Sequence, residues 1–161
     1  MKTPRIDIDL SEQTLRLFEG GKLVREYRVS TAEKGAGERN GSECTPRGRH
    51  QIRAKIGAGA AAGTVFVSRR PTGEIWSAEL GAQFPQRDWI LTRILWLSGL
   101  EPGRNRLREV DTMRRYIYLH GTPDTTRLGL RGSHGCVRIA NRDIIELFDL
   151  VQPGTIVDIH E

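Results

Sequence analysis

Cysteine is scarce in this 161-residue chain, which has only Cys44 and Cys136. Two cysteines far apart and in unlike surroundings make neither a disulfide framework nor a CxxC redox pair. Lysine is scarce too: Lys2, Lys22, Lys34 and Lys55 are the only lysines among 25 basic residues, and the net charge of +5 is carried almost wholly by arginine. Arginine suits bidentate contacts to carboxylate or phosphate. No basic run, helix-turn-helix pattern or RNA-binding aromatic motif accompanies it, so no nucleic-acid partner is expected. Long apolar runs are missing as well. A stretch such as Ile94–Leu97 is far short of the ~20 residues a spanning helix needs, and no integral membrane contact is expected. The first ten residues carry charge at every second or third position, where a secretory leader needs about 7 to 15 continuous apolar residues. The expected location is the cytosol, with the periplasm as the alternative if a leader has been removed. The length suits one domain, residues 1–161.

What is present reads mainly as short strands. Ile6, Ile8 and Leu10 alternate with Asp7 and Asp9, the period-two pattern of a half-buried strand. Thr14–Phe18 and Leu23–Ser30 flank Gly20-Gly21, a hairpin signal. Residues 31–44 read as a Gly-rich loop, Thr45–Gly48 as a turn, Arg49–Ile56 as a strand and Gly57–Gly63 as a flexible turn. Further strands are expected at Thr64–Ser68, Trp89–Leu97, Tyr116–Leu119 and Thr155–His160. Between them, residues 69–88 and 98–114 read as long polar loops of the kind that form functional sites. One helix is expected, with Asn141 as its N-cap and an apolar face of Ile144, Ile145, Leu147, Phe148 and Val151. The sum is seven or eight strands and one helix in the C-terminal half: a mainly β domain, a sandwich or partly closed barrel.

The chemistry concentrates in His120-Gly121-Thr122 and Ser133-His134-Gly135-Cys136-Val137-Arg138. A cysteine attacks as its thiolate, and at an ordinary pKa near 8.5 a neighbouring imidazole is the usual activator. His120, delivered by the end of a buried strand, is placed for that. Gly135 allows backbone N–H groups to approach a tetrahedral oxyanion. Arg138, two residues beyond Cys136, shares its side of an extended segment and suits a substrate carboxylate.

These residues resemble the L,D-transpeptidase catalytic domain, or YkuD, family. The match runs through Ile117-Tyr118-Leu119-His120-Gly121-Thr122 and Ser133-His134-Gly135-Cys136-Val137-Arg138-Ile139. Thr45-Pro46-Arg47-Gly48 is similar to the family's Thr-Pro-x-Gly strand entry. The resemblance implies a β-sandwich enzyme that cleaves the amide between an L-centre and D-Ala in peptidoglycan stem tetrapeptides, through a cysteine thioester. It implies Cys136 as nucleophile, His120 as base and the Gly121 carbonyl as orienter of the imidazole. It also implies His134 and Gly135 around the oxyanion, and Arg138, Ser133 and Thr122 toward substrate. The family's aromatic residue after Thr-Pro-x-Gly is replaced here by His50, and its usual leader, anchor or wall-binding module is not seen.

No cofactor and no metal are expected. Zinc on His120, His134 and Cys136 with Asp111 or Asp124 is the chemical competitor, but the spacing fits neither a zinc finger nor HExxH. A muropeptide-binding module without turnover is the non-enzyme alternative. His50 and His160 read as strand residues with polar tips outward, and Cys44 as a bystander thiol. In the cytosol the donor would be a stem tetrapeptide or soluble muropeptide and the acceptor water. The favoured expectation is an L,D-carboxypeptidase of murein recycling, with an exported crosslinking L,D-transpeptidase as runner-up. Residues 69–88 and 98–114 are expected to close a pocket for one stem peptide, without a second groove.

Overall fold

The computed structural model describes residues 3–161. Among them ten strands form one sheet: β1 (Pro4–Asp9), β2 (Thr14–Glu19), β3 (Lys22–Ser30), β4 (Gly48–Ile56), β5 (Thr64–Val67), β6 (Arg70–Ile75), β7 (Ile90–Gly99), β8 (Tyr118–Thr122), β9 (Val137–Ala140) and β10 (Ile156–His160). Helix α1 (Ala78–Gln83) falls between β6 and β7 in the chain, and α2 (Asn141–Leu150) between β9 and β10.

Alternation builds the core. Ile6 and Ile8 of β1 are fully buried, and in register they meet Leu17 and Leu15 of β2 and Val157 and Ile159 of β10. Gly20 and Gly21 close the β2–β3 hairpin at φ 58° and 79°, which two-residue turns of this kind require. The sheet order is β4-β10-β1-β2-β3-β9-β8-β7, and β4 also pairs with β7, so these eight strands close on themselves and leave no free edge. The β5–β6 hairpin hangs from the first two residues of β7. Helix α2 packs Ile144, Leu147 and Phe148 against the same core as Leu119, Val137 and Ile139. The fold is the mainly β architecture expected, with one principal helix.

Two strands escaped the sequence reading. β6 lies inside the expected loop 69–88 and contains Pro71 and Gly73; it is an edge strand beside β5 alone, where a missing backbone N–H is tolerated. β9 has only four residues, too few to show a period. In the same expected loop, α1 is started by Ser77, whose Oγ accepts from the Leu80 N–H at 3.1 Å. The N-cap of α2 is Ala140, not Asn141: the Asn141 Oδ1 accepts instead from Thr92 Oγ1 at 2.5 Å, which ties the helix start to β7. His50 also departs from expectation. It is fully buried, with Nε2 2.9 Å from Thr112 Oγ1 and Nδ1 3.0 Å from Gly48 O, and burial drives its pKa down to about 4. His160 does reach solvent, and its Nε2 lies 2.9 Å from Asp7 Oδ2.

Candidate active site

The site is built by two parallel neighbours, β8 and β9, in the register His120 against Arg138 and Leu119 against Val137. Leu119, Val137 and Ile139 point into the core, so Tyr118, His120, Cys136 and Arg138 project from the opposite face. Tyr118, His120 and Cys136 line a cavity of about 370 Å³.

His120 is 1% exposed, and its Nδ1 lies 2.6 Å from the Gly121 carbonyl oxygen. A carbonyl only accepts, so Nδ1 carries the hydrogen and Nε2 is left as the basic nitrogen. Burial lowers the pKa of His120 and keeps the ring neutral. Gly121 itself is required by packing. A β-carbon there would lie 2.6 Å from the Leu91 carbonyl oxygen and 2.9 Å from Thr92 Cβ, where β7 bulges and Thr92 takes φ 76°. Gly121→Ala should therefore destabilise the fold by roughly 1–3 kcal/mol, read as a thermal shift of about 5 °C. An unchanged melting temperature would show that β7 yields freely at the bulge.

Cys136 sits between two backbone groups. Its Sγ accepts from the Tyr118 N–H and donates to the Tyr116 carbonyl, each at 3.3 Å. Burial pushes the thiol pKa up to about 12, with the Tyr118 N–H opposing and the Asp88 carboxylate adding to the rise. Burial thus favours the neutral form of both the thiol and the imidazole.

The preceding turn is held by side chains on both sides. Ser133 Oγ donates to the Cys136 carbonyl at 2.6 Å and accepts from the Gly135 N–H at 3.2 Å. Gly135 takes φ 132°, a region that disfavours side chains, and its carbonyl accepts from Thr45 Oγ1 at 2.9 Å. The Thr-Pro-x-Gly segment thus clamps the turn that precedes Cys136. Ser133 is engaged inside the turn, and the Gly135 N–H is already donated. His134 is exposed and lines the cavity rim.

Two expected substrate residues lie outside this cavity. Thr122 bonds Thr126 Oγ1 at 2.7 Å and lines a separate cavity bordered by Trp76 and Asn141. Arg138 is partly buried; its Nη2 donates to Ser30 Oγ at 2.8 Å and abuts Gly132, where a β-carbon would lie 2.5 Å away. Residues 98–114 do not reach the cavity: Asn105 ties them to the Arg47 and Arg49 carbonyls of the β4 entry, at 3.0 and 3.1 Å. The Asp111 carboxylate is occupied by the Leu107 and Arg114 N–H groups, and Asp124 lines the other cavity. Among the described residues no three His, Cys, Asp or Glu side chains gather as metal ligands would.

Three charged residues of the cavity were not singled out from the sequence: Arg69, Asp88 and Arg115. Arg115 donates to the Cys44 carbonyl at 2.6 Å and to Gly37 O and Ser42 Oγ, each at 3.3 Å, which holds the loop of residues 37–44 beside the turn that precedes Cys136. Arg69 and Asp88 fall at the two ends of the expected loop 69–88, and only the hairpin and β7 bring them together. Beyond His134 a second cleft, about 320 Å³, shares Arg115, Tyr116, Ile117 and His134 with the first.

Known proteins share this sequence pattern and this fold. The putative L,D-transpeptidase YkuD of Bacillus licheniformis is 27% identical over 155 residues, covering 96% of this chain and 64% of that protein. The chain thus spans somewhat under two thirds of that relative's length. A 41-residue segment is 51% identical to the probable L,D-transpeptidase YbiS of Escherichia coli, covering 26% of this chain and 13% of that protein. Among solved structures, an L,D-transpeptidase from Mycobacterium smegmatis superposes with a TM-score of 0.61 at 17% identity, covering 99% of this chain and 59% of that one. L,D-transpeptidase 3 of Mycobacterium tuberculosis, solved with a faropenem-derived adduct, gives 0.60 at 15%, covering 99% and 61%. Residues 3–159 match the L,D-transpeptidase catalytic domain, and the chain belongs to that family, YkuD.

Proposed function

We propose that this protein is a cysteine acyltransferase that opens the amide between an L-centre and D-Ala in peptidoglycan stem tetrapeptides, acting as an L,D-carboxypeptidase when water takes the acyl group. The observation that carries the reading is the shared cavity of Cys136 and His120, with Nδ1 of the histidine fixed on Gly121 O. The thiol hydrogen, donated at rest to Tyr116 O, passes to His120 Nε2 as Sγ bonds to the substrate carbonyl carbon. The oxyanion then collapses, the C–N bond breaks, and the imidazolium returns its proton to the departing D-Ala amine. Water, deprotonated by the same Nε2, next attacks the thioester, and the proton goes back to the thiolate. Soluble muropeptides in the cytosol are the donors this mode calls for.

A second reading, the amine-accepting L,D-transpeptidase, is favoured by the cleft beyond His134, which offers room for an acceptor strand on the far side of the shared wall. Product analysis separates the two. Soluble tetrapeptide at neutral pH should yield D-Ala and tripeptide with little crosslinked dimer, even with abundant amine acceptor. Dimer as the main product would assign the crosslinking mode, and fractionation of the native protein with the periplasm would move it there.

A further inference from the structure

Thr122, two residues beyond His120 on β8, lines a cavity of about 520 Å³ that the acyl-transfer steps do not use. Its walls are largely apolar, formed by the Trp76 indole, Pro123, Leu128 and Ile145. Trp76 and Pro123 also line an adjoining cavity of about 340 Å³, which adds the indole of Trp89. Both indoles are held in place. Gly81 of α1 sits against Trp76 so closely that a β-carbon there would lie 3.1 Å from Nε1 and 3.2 Å from Cζ2. Arg87 lies over Trp89, with its guanidinium carbon 4.3 Å from the ring centroid, while its Nη2 pairs with Glu74 at 2.9 Å. Aromatic walls fixed in advance lose little freedom when a ligand arrives.

The polar groups of the larger cavity are few and of mixed kind. Asn141 Oδ1 accepts from Thr92 Oγ1, and the amide N–H donors of Asn141 have no protein acceptor among the described residues. Asp124 is exposed and stands in no ion pair among the described residues; Arg142, which also lines the cavity, lies 3.9 Å from Asp143 instead. A strongly charged ligand of either sign would meet a like charge here, Asp124 or Arg142. A neutral ligand with one apolar face and neighbouring hydroxyls meets none. A pyranose ring has that build: the C–H groups of one face lie on an indole plane, and each hydroxyl both accepts from an amide N–H and donates to a carboxylate.

We propose that this cavity binds a neutral pyranose saccharide and, resting on the acyl-transfer reading above, that its occupant is the sugar that carries the stem peptide. Two residues of strand separate Thr122 from His120 by about 7 Å. Three extended residues, from the acylating centre to the N-terminus of the stem, span at most about 10 Å. A sugar on that N-terminus therefore reaches the second cavity while the scissile amide stays at Cys136.

A saturation-transfer NMR titration of the full chain with the β-1,4-linked dimer of N-acetylglucosamine tests the site. The wild type should bind the dimer saturably, with a Kd below about 10 mM. Asp124→Ala, a change at an exposed position, should weaken binding about tenfold, the scale of one hydrogen bond to a charged group. Trp76→Leu should abolish binding and Trp76→Phe should restore part of it, because the sugar meets an aromatic plane and not merely apolar volume. With tetrapeptide as donor, wild-type kcat/KM should be at least about tenfold higher when the sugar is attached at the N-terminus, and Asp124→Ala should narrow that ratio toward one. No saturable binding, or equal binding by the wild type, Asp124→Ala and Trp76→Leu, overturns the site. Equal kcat/KM for the two peptides overturns the stem-bearing sugar as its occupant. Saccharide binding without release of D-Ala from either peptide overturns the acyl-transfer reading and leaves the saccharide site standing.

Discussion

Cys136→Ala should reduce D-Ala release from tetrapeptide by at least about 10⁴-fold, because the proposed acyl intermediate forms on the Cys136 sulfur. Cys44→Ala should stay within about twofold of wild type. The contrast follows from what each sulfur touches. Cys136 Sγ lies in the cavity wall between the Tyr118 N–H and the Tyr116 carbonyl, whereas Cys44 Sγ rests on the Lys34 and Ser42 carbonyls at 3.7 and 3.6 Å in the loop outside. Cys44 does serve the site through its backbone, since its carbonyl receives Arg115 Nη2. Alanine keeps that carbonyl. Retained turnover in Cys136→Ala would sink the mechanism.

The parts of this site legible in the sequence are those built from neighbours in the chain. His120 and its Gly121 orienter are adjacent, and Ser133 to Cys136 form one turn closed by their own side chains. Alternation in β1 was equally plain, since its buried and exposed positions differ by nearly the full range of polarity. Arg69, Asp88 and Arg115 were illegible for the opposite reason. Each is one arginine or aspartate among many, and its meaning comes from a hairpin, a β7 edge or a stretch before β8 meeting across the sheet. Thr45 is intermediate: the Thr-Pro-x-Gly pattern marked it, but only the structure supplies its partner, the Gly135 carbonyl ninety residues away.

His50 and Asn141 show how tertiary partners override local rules. A histidine amid polar strand residues reads as exposed, yet Thr112 meets its Nε2 from a distant loop and makes burial of the neutral ring tolerable. Asparagine before a helical apolar face reads as an N-cap, yet Thr92, in its left-handed bulge, claims the side-chain oxygen first. The same bulge presses the Leu91 carbonyl onto Gly121, so the residue that spoils the capping reading also explains why His120 is followed by glycine.

His120→Gln should lower kcat/KM at pH 7 by about 10²- to 10⁴-fold, and its pH dependence should expose the protonation state of the resting pair. In the wild type the base must be neutral. Because burial holds the His120 pKa below its ordinary 6.5, activity should be lost only as pH falls through that lowered value, and the acid limb should lie below 6.5. On the alkaline side the Cys136 thiol, pushed up to about 12, stays protonated, so the profile should be flat from neutrality to about pH 10. Without the imidazole, solvent hydroxide must remove the thiol proton. The variant's rate should then climb roughly tenfold per pH unit between 7 and 10, as expected for a group titrating well above that range. A resting thiolate–imidazolium pair would behave otherwise: the wild type would peak between two pKa values and decline above the higher one, as the imidazolium lost its proton. A bell centred near neutrality, or a His120→Gln rate that does not rise with pH, would replace the neutral pair by that ion pair while leaving Cys136 as the nucleophile.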